Sequence, residues 1–320
     1  VGATGMQFLS YGYRLSGDPI LLTSSSGTPI IRVGDGSATS AGYVATIDSV
    51  LEGTQGLAKN DAGTLVLGGI NTYSGDTIVN GGTLSAADDR NLGDVANDVT
   101  LNGGALRVTG TAYAATDRDL ALTGGGAVDI ADASNAFTWN GDIAGAGALE
   151  KLGAGTLVLD QANAYTGGTL VSAGALRLGD SGAIGSGALS LGTGSTLALA
   201  TDGLALTNAM SLAGTASIDV GGTDTATLSG VIADATAAGG FTKTGTGELR
   251  LTGDNTYTGT TTIDAGTLHV GDGGTHGSVV GDIVDHGTLL LDRSDDVTYA
   301  GALSGDGMFR KLGAGALHLT

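Results

Sequence analysis

The chain has no cysteine among its 320 residues and only two prolines, Pro19 and Pro29. Without cysteine there is no disulfide, no thiolate nucleophile and no cysteine–zinc site. Lysine and arginine number 13 against 32 acids, a net charge of −19. That balance argues against nucleic acid and anionic membranes as partners, because both demand a cationic face. Glutamate is also scarce. Three of the 32 acids are Glu52, Glu150 and Glu248; the other 29 are aspartate, a turn former. Aromatics make up 4%, so any core must be aliphatic. No apolar run is long enough to span a membrane, no secretory leader is recognisable, and no capped amphipathic helix can be traced.

Glycine supplies 60 residues without a triplet period, which excludes collagen. With 41% apolar residues the chain is not disordered. Many glycines beside Val, Leu, Ile and Thr predict short strands joined by tight turns.

Internal repetition dominates the pattern. Residues 57–68 read LAKNDAGTLVLG, 149–160 LEKLGAGTLVLD, 241–252 FTKTGTGELRLT and 309–320 FRKLGAGALHLT. Lys59, Lys151, Lys243 and Lys311 are all the lysines of the chain, so the residue type has a positional role. Asn71, Asn163 and Asn255 recur after them, as do Tyr73, Tyr165 and Tyr257. Trp139 and Tyr299 each stand twelve residues before a lysine, with Gly141 and Gly301 two residues on. The sequence intervals between successive lysines are 92, 92 and 68. Rungs of about 23 residues make these four, four and three turns of a solenoid.

Within each copy the motif Gly-x-Leu-x-apolar alternates as a strand with one buried face. Three such strands per rung, stacked about 4.8 Å apart, build an all-β, parallel β-helix of roughly 14 rungs, right-handed by the crossover rule. A β-propeller fits less well, because 92 and 68 do not divide equally well into blades of about 40–50 residues. The lysines are expected at turns, with their stems on the sheet and their ammonium groups in water. The tyrosines are expected to pack in turns, their hydroxyls reaching backbone. Four rungs, about 19 Å, separate them too widely for one sugar-stacking platform. Residues 1–28 read as an opening rung or cap, and the longest irregular insertion is expected at Ala233–Gly240.

The run L-x-K-x-G-x-G-T-L-x-L-x-x-x-N-x-Y-[ST]-G-x-T-x-[VI]-x-x-G-x-L resembles the passenger-associated repeat of Gram-negative autotransporters. Its clearest copy is 149–178. The copies at 57–84 and 241–270 depart at Asp61, at Thr244 to Thr246 and at Glu248, and the fourth, from 309, is cut short. The resemblance implies that 1–320 is one β-helical passenger segment, secreted or displayed at the outer surface of a Gram-negative cell. It further implies a C-terminal translocator barrel, which this chain lacks. Within the family the stretch is similar to AIDA-type, self-associating adhesins.

One motif argues for an enzyme. Gly179-Asp180-Ser181-Gly182 is the string around the nucleophile of chymotrypsin-like proteases. In the next copy the same place reads Gly271-Asp272-Gly273-Gly274, and in the previous one Ala87-Asp88-Asp89-Arg90. Asp88, Asp180 and Asp272 keep register, as do Gly93, Gly185 and Gly277, so serine is optional in a turn. All four histidines, His269, His276, His286 and His318, follow Ser181, against the His–Asp–Ser order of that site. The histidines fall at different angular positions, which argues against a shared metal. Asp292, Asp295 and Asp296 read as an acidic turn rather than a calcium site.

These observations predict no catalytic residues, no cofactor and no metal ligand, and a non-enzymatic role in adhesion or cell–cell aggregation. The expected partners are a second copy on a neighbouring cell or a host receptor or glycan, with serine and threonine available for O-linked sugars. A non-catalytic stalk is the alternative. A β-helical polysaccharide-active enzyme fits less well, because the loops are short and the charge repels acidic polymers.

Overall fold

The computed structural model describes residues 1–25 and 27–320. The chain is all-β with parallel strand pairing and, among the described residues, two short 3₁₀ turns, Ala38–Gly42 and Asp89–Leu92. Among the described residues no helix is long and apolar enough to cross a membrane. Two compact units form: Val1–Leu157 with Asn163–Gly167, and Val158–Ala162 with Gly168–Thr320.

In the first unit the chain coils with three sides per turn. On one side Leu57 pairs Thr77, Thr77 pairs Val99, Val99 pairs Leu120 and Leu120 pairs Ile143, so each partner lies one turn further along the sequence. The next side stacks Thr64–Leu67, Thr83–Ala86, the second halves of Val99–Val108 and Leu120–Ile130, and then Leu149–Leu152. The third includes Ala115–Thr116 on Ala136–Trp139. Two long strands turn a corner without breaking. The register shifts at Asn102, beside Gly103 at φ 92 and Gly125 at φ 76, a backbone region open to glycine.

Alternation sends every second side chain inward, and the same column repeats turn after turn. Leu65, Leu84, Leu106 and Val128 form one such column, each fully buried. Each turn therefore covers the apolar face of the one before it, which is how a solenoid builds a core without a second layer. The first turns are longer and less regular, with Tyr13 paired to Ala45 and Ile30 to Ala58. The longest insertion thus lies near residues 34–43, not at 233–240. At 233–240 the Asp234 carboxylate ties off a short loop by accepting from Gly239 N at 2.8 Å. The opening stretch is built of paired strands, Gly2–Ala3 on Ile20–Leu22 and Gly5–Phe8 on Ile30–Val33.

The second unit repeats this plan. Leu189 pairs Met210 and Met210 pairs Ile232; Leu197 pairs Ile218 and Ile218 pairs Lys243; Leu204 pairs Ala226 and Ala226 pairs Leu249.

The regular turns are mostly shorter than the rung expected from the sequence, and the copies do not stack on one another. The column through Lys59 runs Val79, Leu101, Leu122, then reaches Ile143–Gly145 on the fourth turn. Lys151 lies one strand farther on, in the column of Val128, Leu106, Leu84 and Leu65. The interval from Lys59 to Lys151 is therefore four turns plus one side. In the second unit Lys243 pairs Ile263, then Asp285, then Gly305. Lys311 again lies one strand beyond, paired to Leu291. The interval from Lys243 to Lys311 is three turns plus one side. The whole-number division failed because a three-sided coil lets a repeat advance by a third of a turn.

Candidate functional site

The residues that define the repeat converge at its corners. In Leu57–Asn60, Leu57 and Lys59 share a face by strand alternation, and that face points inward. Lys59, Lys151 and Lys243 are therefore buried at 0% exposure, not extended into water as expected from the sequence. The ammonium of Lys59 donates to the carbonyls of Asn60 at 2.9 Å, Asp61 at 2.7 Å and Gly81 at 2.9 Å. That of Lys243 donates to Thr244 at 2.7 Å, Gly245 at 2.8 Å and Ala265 at 3.3 Å. Lys151 donates to Leu152 at 2.7 Å and Gly153 at 2.9 Å. Lys311 donates to Leu312, Gly313 and Arg293.

The corner needs a left-handed residue to aim its carbonyls inward. Gly153, Gly245 and Gly313 stand there at φ 75, 73 and 61. In the first copy the place is taken by Asp61, at φ 67, the one non-glycine residue with positive φ among the described residues. Aspartate is among the few L-residues that enter this region. Arg32 holds its carboxylate from outside, Nε and Nη2 each at 3.1 Å. Burial lowers the Lys59, Lys151 and Lys243 ammonium groups from 10.5 to about 8, and the neighbouring Asp61, Asp129 and Asp219 pull them back up in part.

The asparagines bridge turns. Asn71 Oδ1 accepts from Leu51 N at 2.8 Å in the turn below, and its Nδ2 donates to Asn91 O at 2.6 Å in the turn above. Asn255 repeats this with Ile232 N at 2.8 Å and Ser278 O at 3.0 Å. Asn163 accepts from Ile143 N at 2.9 Å. Tyr73, Tyr165 and Tyr257 are wholly buried and pack the interior. Tyr73 and Tyr257 reach threonine hydroxyls rather than backbone, Thr77 at 2.7 Å and Thr261 at 2.6 Å. Trp139 Nε1 donates to Arg118 O at 2.8 Å and Tyr299 Oη to Gly281 O at 2.7 Å, so the two aromatics play one part.

Ser181 lies in an exposed turn and its Oγ accepts from Ala205 N at 2.9 Å. Asp180 accepts from Gly182 N at 2.7 Å, as Asp88 does from Arg90 N at 2.9 Å and Asp272 from Gly274 N at 3.1 Å. Gly93, Gly185 and Gly277 all have positive φ. The string is one aspartate-closed turn, repeated. Each of three histidines has its own carboxylate: His269 Nδ1 meets Glu248 at 3.0 Å, His276 meets Asp254 at 2.7 Å and His286 meets Asp306 at 2.6 Å. Asp295 binds Arg293 at 2.8 Å, and Asp296 accepts from Ala316 N at 2.7 Å. Among the described residues no three metal-ligating side chains come together.

Two buried arginines, Arg118 and Arg293, escaped the sequence reading. Arg118, outside the repeats, is 2% exposed and ties the loop after Asp89–Leu92 to the core. It donates to Asp89 Oδ1 at 3.0 Å, Asp94 O at 2.6 Å and Asn97 O at 2.8 Å. Arg293, 8% exposed, donates to Gly277 O at 2.6 Å as Arg118 does to Gly93 O at 3.1 Å, but the two arginines stand at different distances from those glycines and so leave no periodic signal in the sequence.

Outside, polar side chains form ladders. Asn102 donates to Asn80 at 3.0 Å and Asn80 to Asn60 at 2.9 Å. Asp76, Asp98 and Asp119 each accept a backbone N–H from the next turn, at 3.0, 3.3 and 2.9 Å.

The family described as passenger-associated-transport-repeat matches residues 57–86, 149–178 and 241–270. Over 186 residues, 58% of this chain, the sequence is 44% identical to the protein named Adhesin BmaC autotransporter of Brucella suis biovar 1 (strain 1330). The chain spans 5% of the length of that relative. No solved structure matches.

Proposed function

We propose, from the three passenger-associated-transport repeats this chain carries and its similarity to an adhesin autotransporter, that it is a passenger segment displayed on a Gram-negative cell surface and acting in adhesion or cell–cell aggregation. The observation that supports a self-associating surface is the ordered outer ladder. Asn60, Asn80 and Asn102 repeat in register with the rungs, as do Asp76, Asp98 and Asp119. Side-by-side copies with the same rise match such groups many times, so contacts that are weak singly add up. The aspartate row opposes close approach at its own corner, so contact falls along the asparagine row at the other end of the same strands.

A second reading, the inert stalk, has one observation in its favour. Of the most distinctive repeat residues, Lys59, Lys151, Lys243, Asn71, Asn255 and the three tyrosines are buried and offer a partner nothing. Sedimentation velocity over a concentration series at low and high salt separates the two. The control carries charges on the end rungs to block end-to-end stacking. Reversible association that survives the control supports the adhesin that binds its own kind. A monomer under every condition removes self-association and leaves the stalk or a host-directed adhesin.

A further inference from the structure

The interior of most turns carries no information about which turn is which. On one side of the second unit Leu197 faces Ile218; on another Leu189 faces Met210, and Met210 faces Ile232. A turn that docks one rung too far still meets an aliphatic column. Burial fixes register along a strand, because a one-residue slip turns every side chain to the other face; a slip by a whole turn keeps each side chain on its own face, so burial does not oppose it.

Against that background Lys243 and Asn255 are not interchangeable with anything in the adjacent turns. Lys243 needs the carbonyls of Thr244 and Gly245 in its own corner and of Ala265 one turn on. Asn255 needs Ile232 N in the turn below and Ser278 O in the turn above. If one turn loops out, Ile232 N and the ammonium lose partners inside the core. Each buried polar group left unmet destabilises the coil, and a buried charge left unmet does so more strongly.

We propose that the lysine–asparagine pair of each repeat is a register lock: it fixes which turn stacks on which while the coil assembles. The advance by one side adds to its effect. Lys59 and Lys151, each with its asparagine, lock two different sides of the first unit. A slip that satisfies one column is still penalised in another.

The absence of cysteine gives a clean test. Thr242, Thr262 and Val284 stand in one outward-facing column on three successive turns. Neighbouring rungs, about 4.8 Å apart, are within disulfide reach; alternate rungs, at roughly 10 Å, exceed the limit of about 7 Å. Two reporters are refolded and oxidised: T242C/T262C reads correct stacking, and T242C/V284C reads a one-turn slip. In the wild-type background only the first should close. In K243M/N255L the slip reporter should close at least about tenfold more often, the factor that about 1.4 kcal/mol sets. Leu197→Ala, which weakens the same side without touching the lock, should leave the slip reporter at background. A merely structural role would give equal slip in the two variants, or none in either, and would overturn the proposal. If K243M/N255L does not refold, Asn255→Ala carries the same reporters and is read the same way.

Discussion

Two adjacent turns of the second unit put different chemistry at one position. Ile218 and Lys243 are register partners in a single column, with Leu197 below them and Ile263 above. Both side chains are buried at 0% exposure. One is an aliphatic residue among aliphatics; the other is a charge. The column is the same, so the column does not explain the difference. What differs is the corner that follows. After Lys243 the chain runs through Gly245 at φ 73, and the carbonyls of Thr244 and Gly245 turn towards the ammonium. A buried charge is tolerated where its hydrogen bonds are supplied, and this coil supplies them from backbone rather than from a counter-ion.

The sharpest way to break the comparison is to move the charge. Ile218→Lys places an ammonium in a turn without that corner, and should cost roughly 4 kcal/mol or more, the scale of an unmatched buried ion. Chemical denaturation would show it as a drop in midpoint at unchanged slope. A loss below about 1 kcal/mol would mean that any corner can hold a lysine, and Lys243 would lose its distinction from Ile218.

A smaller effect separates the same two residues in the other direction. Lys243→Met keeps the length of the side chain and removes the charge, leaving three inward carbonyls without donors. A loss of about 2 kcal/mol is expected. Ile218→Met is nearly volume-conserving and should cost less than about 1.5 kcal/mol. Equal losses would reduce the lysine to a space-filler.

Much of this was legible in the sequence. The strands, the stacking and the aspartate turns at Asp88, Asp180 and Asp272 follow from alternation and repetition. The burial of the lysines was legible too. In Leu57-Ala-Lys59 and Phe241-Thr-Lys243 the lysine is two residues from a core residue, so a strand must point both the same way. The habit of placing lysine in water hid it. The turn length was harder. The lysine intervals suggest whole numbers of rungs, and only the register of Lys151 against Val128 shows the extra side. Arg118, Arg293 and the long turns before Ala58 were beyond reach, because none recurs at a fixed interval in the sequence.

The smallest prediction concerns proton linkage. Burial lowers Lys59, Lys151 and Lys243 to about 8, against 10.5 for an unperturbed lysine. Below pH 8 folded and unfolded chains both hold these protons, and the fold carries the full cost of the buried charges. Between about pH 8 and about pH 10 the unfolded chain binds more protons than the folded one, so stability rises with pH. Above pH 10 the slope reverses. Burial raises Tyr73 and Tyr257 above their usual 10.0, so the unfolded chain loses phenolic protons that the fold retains. The denaturation midpoint should therefore climb from pH 8, peak near pH 10 and then fall. Lys243→Met removes one of three contributors and should make the climb shallower by about a third, whereas Ile218→Met should leave its steepness unchanged. Parallel profiles for wild type and Lys243→Met would show that the ammonium keeps its ordinary affinity for the proton. In that case the carbonyls offset the whole cost of burying it, and the corner that distinguishes Lys243 from Ile218 is a complete substitute for water.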